Sequence, residues 1–523
     1  MTPYSGAAKC APTKLATRYA LIAAVLVASV ESISLTPFAA TTAPSPASTL
    51  ALQPCHVNGL AEEIRCGVHE VFEDRARASG RRLSIHVAVL PALRRTVQPD
   101  PLFLMAGGPG QGARGMAGIA ARVFREVRRH RDIVLVDLRG TGASGALRCD
   151  DGGDDLAAIG EHDVTAAVQR CADGLDADPR FYTHRDSLAD LDEIRGRLGY
   201  ARINLWGGSW GTRASLLYAL RYPTHTRSVI LDGAVPLTMD FPVSASADAS
   251  ASLDRVIADC MADRDCHAAF PEARAGLDRL LARFAAGDVT VTIRHPRTHL
   301  PATVTLSRGI AMDILRGALY VPRDAGAMLR VVQQAADGDF SALIAQYVRT
   351  ASWSTDDMAL AATMSILCSE DVPSVTALRQ GSGQTDSIAK ASPGLATPER
   401  LREGGSAFGT TYADGWRARC AAWRAGPGLD EPRDALSQVP ALILSGGHDP
   451  VTPPRSGDMM TRHFARHRHI VVDNASHNTS FSGCMPRLIA QFIADGHADA
   501  LDDRCVTDLA WPPFVIATSG SRP

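Results

Sequence analysis

Ile203 to Trp206 is a short apolar, strand-like run, and Thr212 to Tyr222 is patterned as a helix. The segment between them is Gly207-Gly-Ser-Trp-Gly211. A chain that turns from strand to helix so abruptly must bend its backbone sharply. The residue at the apex is forced toward angles that leave little room for neighbouring side chains. Glycines two before and two after Ser209 remove that crowding. The amide dipoles of the following helix point at the serine, which favours negative charge there. A plain turn serine has the same local letters. The strand before it and the helix after it favour a reactive one.

The rest of the chain repeats this alternation. Leu83 to Leu90 reads as a strand, Pro101 to Met105 as a short apolar run ending at Ala106-Gly-Gly-Pro-Gly110, and Asp132 to Val136 as a buried strand ending in Asp137-Leu-Arg-Gly140. Ser187 to Leu198 puts Leu188, Leu191, Ile194 and Leu198 on one helical face, and Ser228 to Leu231 is a further strand. Strands alternating with helices predict a mainly parallel sheet with helices on both faces. After Pro236 the chain becomes rich in Ala, Arg and Asp and helical in pattern, with one strand-like insert at Val289 to Ile293 and Thr303 to Leu306 and a loop at Gly381 to Pro393. Strand patterns return at Val439 to Leu444 and His469 to Val472, followed by a helix near Arg487 to Phe492. The expected organisation is a core in two parts, residues 41–236 and 438–523, with a helical cap insertion over 237–437.

Residues 1–40 have the form of an export signal. Lys9, Lys14 and Arg18 precede the apolar run Ala20 to Val30, small residues follow, and Phe38-Ala-Ala40 is the candidate cleavage site. That run is too short for a stable membrane anchor. Ten cysteines follow, an even number that implies disulfides in an exported chain. Their local spacing favours 55–66, 149–171, 260–266, 368–420 and 484–505, although spacing alone leaves the connectivity open. No C-x-x-C or H-E-x-x-H spacing calls for a metal. A formal net charge of −2 gives no footprint for nucleic acid.

A reactive serine needs a base and an acid to orient it. The chain order Ser, acid, His is that of the α/β-hydrolase fold. Asp449 lies just beyond the Ala441 to Leu444 strand, and His477 lies on the loop after the last core strand. These are the candidate acid and base. His448 shares the acid's loop, His463, His467 and His469 occupy a basic stretch suited to the surface, and Asp473 reads as a turn residue. The amide of Trp210 and that of Gly108, in the Gly107-Gly-Pro-Gly110 loop, are candidate oxyanion donors.

Together, Gly107-Gly-Pro-Gly110, Asp137-Leu-Arg-Gly-Thr-Gly-Ala-Ser144, Gly207-Gly-Ser-Trp-Gly211, Leu231-Asp-Gly233 and Asp449-Pro-Val-Thr-Pro453 resemble the prolyl aminopeptidase group of α/β-hydrolases. The likeness is greater to its secreted, disulfide-bearing, tripeptidyl-aminopeptidase-like branch, and it covers nearly the whole mature chain. The resemblance implies a serine exopeptidase with a helical cap, with Ser209 as nucleophile, Asp449 as acid and His477 as base. It implies no metal or organic cofactor. Two positions depart from the group: Ala106 stands where a His is common, and Leu138 where a Gln is common.

In that family acidic cap residues hold the substrate's ammonium group. The candidates here are Glu370 and Asp371, next to Cys368, with an ordinary surface acid pair as the alternative. An esterase or lipase-like hydrolase of small or apolar acyl esters would use the same triad. A non-catalytic binding protein on the same fold is a further alternative, against which the three triad residues stand. The partner is a peptide or small acyl substrate, with the oligomeric state left open.

Overall fold

The computed structural model describes residues 49–149, 164–239, 241–371 and 407–517. The expected export signal and the loop at 381–393 lie outside the described residues. In chain order the strands are β1 (Gln53–Cys55), β2 (Ile64–Phe72), β3 (Arg82–Leu90), β4 (Leu102–Met105), β5 (Ile133–Val136), β6 (Ile203–Gly208), β7 (Thr226–Asp232), β8 (Val289–Arg294), β9 (Pro301–Leu306), β10 (Ala441–Gly446) and β11 (His467–Val472). Nine of them form one sheet in the order β1-β2-β3-β5-β4-β6-β7-β10-β11, while β8 and β9 pair only with each other. The sheet is antiparallel from β1 to β5 and parallel from β5 through β11. This is the mainly parallel sheet that the strand and helix patterns predict, in the α/β-hydrolase arrangement that the resemblance implies.

The central strands bury both faces, which is why they read as unbroken apolar runs. Val134, Val136, Leu205, Val229, Leu231 and Ile443 pack into a core on one face of the sheet. Their neighbours Ile133, Leu135, Trp206, Ile230, Leu442 and Leu444 pack into a second core on the other. The sequence patterns do not anticipate β2. Its apolar positions are broken by Arg65 and the consecutive pair His69-Glu70, and Gly67 interrupts it. A side chain at Gly67 would sit 2.9 Å from the Ala51 carbonyl oxygen.

The parallel register aligns the carboxyl ends of five strands. Met105 pairs with Gly207, Gly208 with Asp232, Asp232 with Leu444, and Gly446 with Val472. In open α/β sheets this edge, outside the strand ends, is where ligands bind.

Between β7 and β10 the chain leaves the sheet. It forms helices Phe241–Ala262, Ala273–Arg283, Arg308–Ala318, Pro322–Ala336, Leu360–Glu370 and Thr411–Ala422, with the β8–β9 hairpin among them. Much of this excursion packs around a core of its own, including Leu253, Val256, Leu277, Leu315 and Met328. It is also tied to the loop after β4. The amide of Ala359 donates to the Gly110 carbonyl at 3.0 Å, and the Thr363 hydroxyl donates to the Pro109 carbonyl at 2.5 Å.

All five cysteine pairings favoured by spacing occur: Cys55–Cys66, Cys149–Cys171, Cys260–Cys266, Cys368–Cys420 and Cys484–Cys505. No helix among the described residues is long and apolar enough to cross a membrane.

Candidate active site

Ser209 sits at the end of β6 with φ 54° and ψ −122°, immediately before helix Trp210–Arg221. A positive φ is rare for a residue with a β-carbon, and here the surroundings enforce it. The Ser209 amide donates to the Asp232 carbonyl at 2.8 Å. The glycines are sterically required. A β-carbon on Gly207 would lie 2.3 Å from the Gly211 carbonyl oxygen, and one on Gly211 would lie 2.0 Å from that of Met105. From Ile203 to Ala219 every residue is buried except Ser209. The bend therefore presents the serine alone to the strand-end cleft.

Asp449 follows β10 and is closed off from solvent. Its Oδ1 accepts the amides of Val451 and Thr452 at 2.9 and 2.8 Å, and its Oδ2 accepts the Thr452 hydroxyl at 2.7 Å. The same Oδ2 lies 2.7 Å from His477 Nδ1. Burial opposes ionisation of Asp449, but the facing His477 and the two amides outweigh it and hold the carboxyl below its usual range. Burial likewise disfavours the charged imidazole of His477. The adjacent Asp449 and the more distant Asp232 overcome that and raise its pKa. With Nδ1 donating to Asp449, Nε2 is left as the basic nitrogen.

Two residues that sequence patterns leave without a role hold this arrangement. Thr452 bridges acid and base, with its hydroxyl 3.1 Å from His477 Nδ1. Asp232, fully buried at the end of β7, accepts the amides of Thr479 and Ser480 at 2.7 and 2.8 Å. Burial is the main influence on Asp232 and raises its pKa. The Trp206 indole nitrogen donates to the Ser480 hydroxyl at 2.9 Å, a second tie between β6 and the loop carrying His477. The motif Leu231-Asp-Gly233 carried a signal for Asp232, but its role depends on the neighbouring strand.

The Gly107–Gly110 loop runs beside the serine. A β-carbon on Gly107 would lie 3.2 Å from Ser209 Cβ, and one on Gly108, at φ +108°, would lie 2.5 Å from Met358 Cε. Trp210 opens its helix, where backbone amides lack intrahelical acceptors. Both candidate donor segments therefore flank Ser209.

The other candidate histidines are engaged elsewhere. His448 reaches the Asp473 carbonyl at 2.9 Å and pairs with Asp259. His469 bridges Asp458 and Ser445, and His463 and His467 face backbone carbonyls. Asp137 and Arg139 are also structural. Asp137 accepts the amides of Arg114 and Ala143, and Arg139 is buried against Asp190.

Glu370 and Asp371 are both buried. Glu370 is buried with Oε2 2.5 Å from His184 Nδ1, and it also accepts the His184 amide at 2.9 Å. Asp371 is buried against Arg213 at 2.8 Å. These pairs fasten the end of helix Leu360–Glu370 to the core, so neither acid is an ordinary surface group. Among the described residues no cluster of three or more acidic, histidine or cysteine side chains is arranged to hold a metal.

Residues 100–483 match the family described as the alpha/beta hydrolase fold. The serine protease Hip1 of Mycobacterium tuberculosis is 25% identical over 476 residues, covering 84% of this chain and 87% of its own. A tripeptidyl aminopeptidase of Streptomyces coelicolor is 26% identical over 207 residues, covering 35% of this chain and 37% of its own. A proline iminopeptidase of Neisseria gonorrhoeae is 30% identical over 141 residues, covering 26% of this chain and 33% of its own.

Proposed function

The chain belongs to the α/β-hydrolase family, and from that premise we propose that it is an exported serine peptidase of the aminopeptidase type, releasing residues or short peptides from a free N-terminus. The observation that carries the catalytic part is the 2.7 Å contact of His477 with Asp449, on loops tied through Asp232 to the strained turn of Ser209. The peptidase part is supported by the serine protease that matches most of the chain and by the two aminopeptidases that match parts of it. Export is supported by the apolar N-terminal run and by five disulfides, which persist in oxidising compartments.

In this reading His477 Nε2 takes the Ser209 proton as Oγ attacks the scissile carbonyl. The amides of Gly108 and Trp210 receive the oxyanion. His477 then returns the proton to the departing amine, leaving an acyl-enzyme that water hydrolyses with His477 again as base. Asp449 stays ionised throughout, orienting the imidazole and stabilising its charged form.

Engagement of Glu370 and Asp371 with His184 and Arg213 favours a second reading, an esterase with the same triad. Hydrolysis of matched peptides with free and N-acetylated termini separates the two. The aminopeptidase reading expects acetylation to suppress the rate. Equal rates would contradict it, and cleavage of simple esters alone would support the esterase.

A further inference from the structure

We propose that Arg316 forms a carboxylate-recognising subsite beside His477, so that preferred substrates carry an acidic side chain or a free C-terminal carboxylate close to the scissile bond. The proposal deepens the peptidase reading and, as to peptides, rests on it.

A chain of rings links the nucleophile's neighbour to the base. Trp210, directly after Ser209, has its ring 5.6 Å from that of Phe241, and Phe241 lies 6.1 Å from Tyr412. The Arg316 guanidinium carbon sits 4.1 Å from the centre of the Tyr412 ring. Arg316 Nη1 donates to the Tyr320 hydroxyl at 3.4 Å, and the Tyr320 ring stands edge-on to His477 at 5.0 Å. The Ser476 hydroxyl, next to His477, donates to the Leu319 carbonyl and holds this end of the excursion against the base loop. One guanidinium is thus built into the aromatic wall between Trp210 and His477.

Its hydrogen-bonding capacity is only partly used from within. The Arg316 side chain is 15% exposed, and its acidic partner Asp313, 3.4 Å from Nε, is 49% exposed and solvated. Arg419, with its guanidinium carbon 5.5 Å from the Trp416 ring, which lies 6.5 Å from that of Tyr412, adds another cation. Among the described residues Arg316 Nη2 has no acceptor. Among the described residues three buried acids carry ion pairs of their own: Asp371 with Arg213, Glu370 with His184, and Asp248 with Arg455. A partly desolvated guanidinium in a fixed aromatic frame is suited to a carboxylate, which it can meet with two parallel hydrogen bonds. An ammonium group at the same place would meet like charge.

The test compares three matched substrate pairs: peptides with Glu or Gln at the scissile residue, peptides ending in an acid or an amide one residue beyond it, and a succinate monoester against its neutral amide ester. Wild type and R316Q are assayed, with melting curves to verify folding. If R316Q does not fold, R316M, which keeps bulk over Tyr412, replaces it. Wild type is expected to favour the carboxylate member of one peptide pair by about tenfold or more in kcat/KM. The pair that responds identifies the source of the carboxylate. In the folded variant the ratio is expected to fall to about one. No preference in wild type, or an unchanged ratio in the folded variant, overturns the proposal. If no peptide is cleaved but the ester pair shows the preference and its collapse, the subsite stands and the peptidase reading falls.

Discussion

The backbone oxygen of Asp232 receives the amide of Ser209 at 2.8 Å, while the carboxylate of the same residue receives the amides of Thr479 and Ser480, just after His477. One buried residue thus clamps the turn of the candidate nucleophile to the loop of the candidate base. The clamp follows from topology. β7 lies beside β6, with Asp232 opposite Gly208, so its backbone and its side chain face different loops.

Replacing Asp232 with Ala leaves two buried amides without their acceptor and removes a charge that supports protonated His477. The expected outcome is a fall in kcat of about tenfold or more with a smaller change in KM. The acid limb of the kcat/KM profile is also expected to move to lower pH. Loss of stability with an unmoved limb would reduce Asp232 to a purely structural role.

As the proposed base His477 would act only when neutral, so the rate is expected to rise with pH through its pKa. Asp449 and Asp232 raise that pKa, so the acid limb of wild type is expected above the ordinary histidine value of about 6.5. Asp449→Asn removes the main raising charge and leaves burial, which lowers the pKa. The limb is expected to shift down, with kcat reduced by about 10⁴. A pH–rate series on both proteins checks the sign. An unmoved limb contradicts the assignment of acid and base.

Gly211→Ala drives a β-carbon into the Met105 carbonyl, a backbone atom with no flexible end to yield. A destabilisation of about 1–3 kcal/mol is expected, together with loss of activity as the turn and the Gly107–Gly110 loop separate. Gly196→Ala is the control. It lies inside helix His184–Arg197 with nothing within 4 Å of its added carbon, so unchanged activity and equal or higher stability are expected. Thermal melts and activity assays on the two variants distinguish a specific steric clash from a general intolerance of alanine.

The parts of this site that sequence makes legible are those governed by local backbone constraint. Glycine spacing around Ser209 and the positions of Asp449 and His477 beyond strand ends need only strand and helix patterning to be read. The five disulfides each join consecutive cysteines, so spacing favours them. Asp232 and Thr452 act through contacts that exist only once separate strands and loops lie side by side. Glu370 and Asp371 look like a free acidic pair because their partners are far away in sequence. His184 stands 186 residues from Glu370, and Arg213 stands 158 from Asp371. Arg316 is one arginine among many until helix packing sets it over Tyr412.

The central claim is that Ser209 carries the acyl group. The most direct measurement is peptide mapping by mass spectrometry after reaction with a fluorophosphonate and, separately, after rapid quench of a slowly deacylating substrate. The account predicts a single covalent adduct in both cases, on the peptide containing Ser209, and none in Ser209→Ala. An adduct on another residue, with Ser209→Ala still labelled and still active, would contradict it.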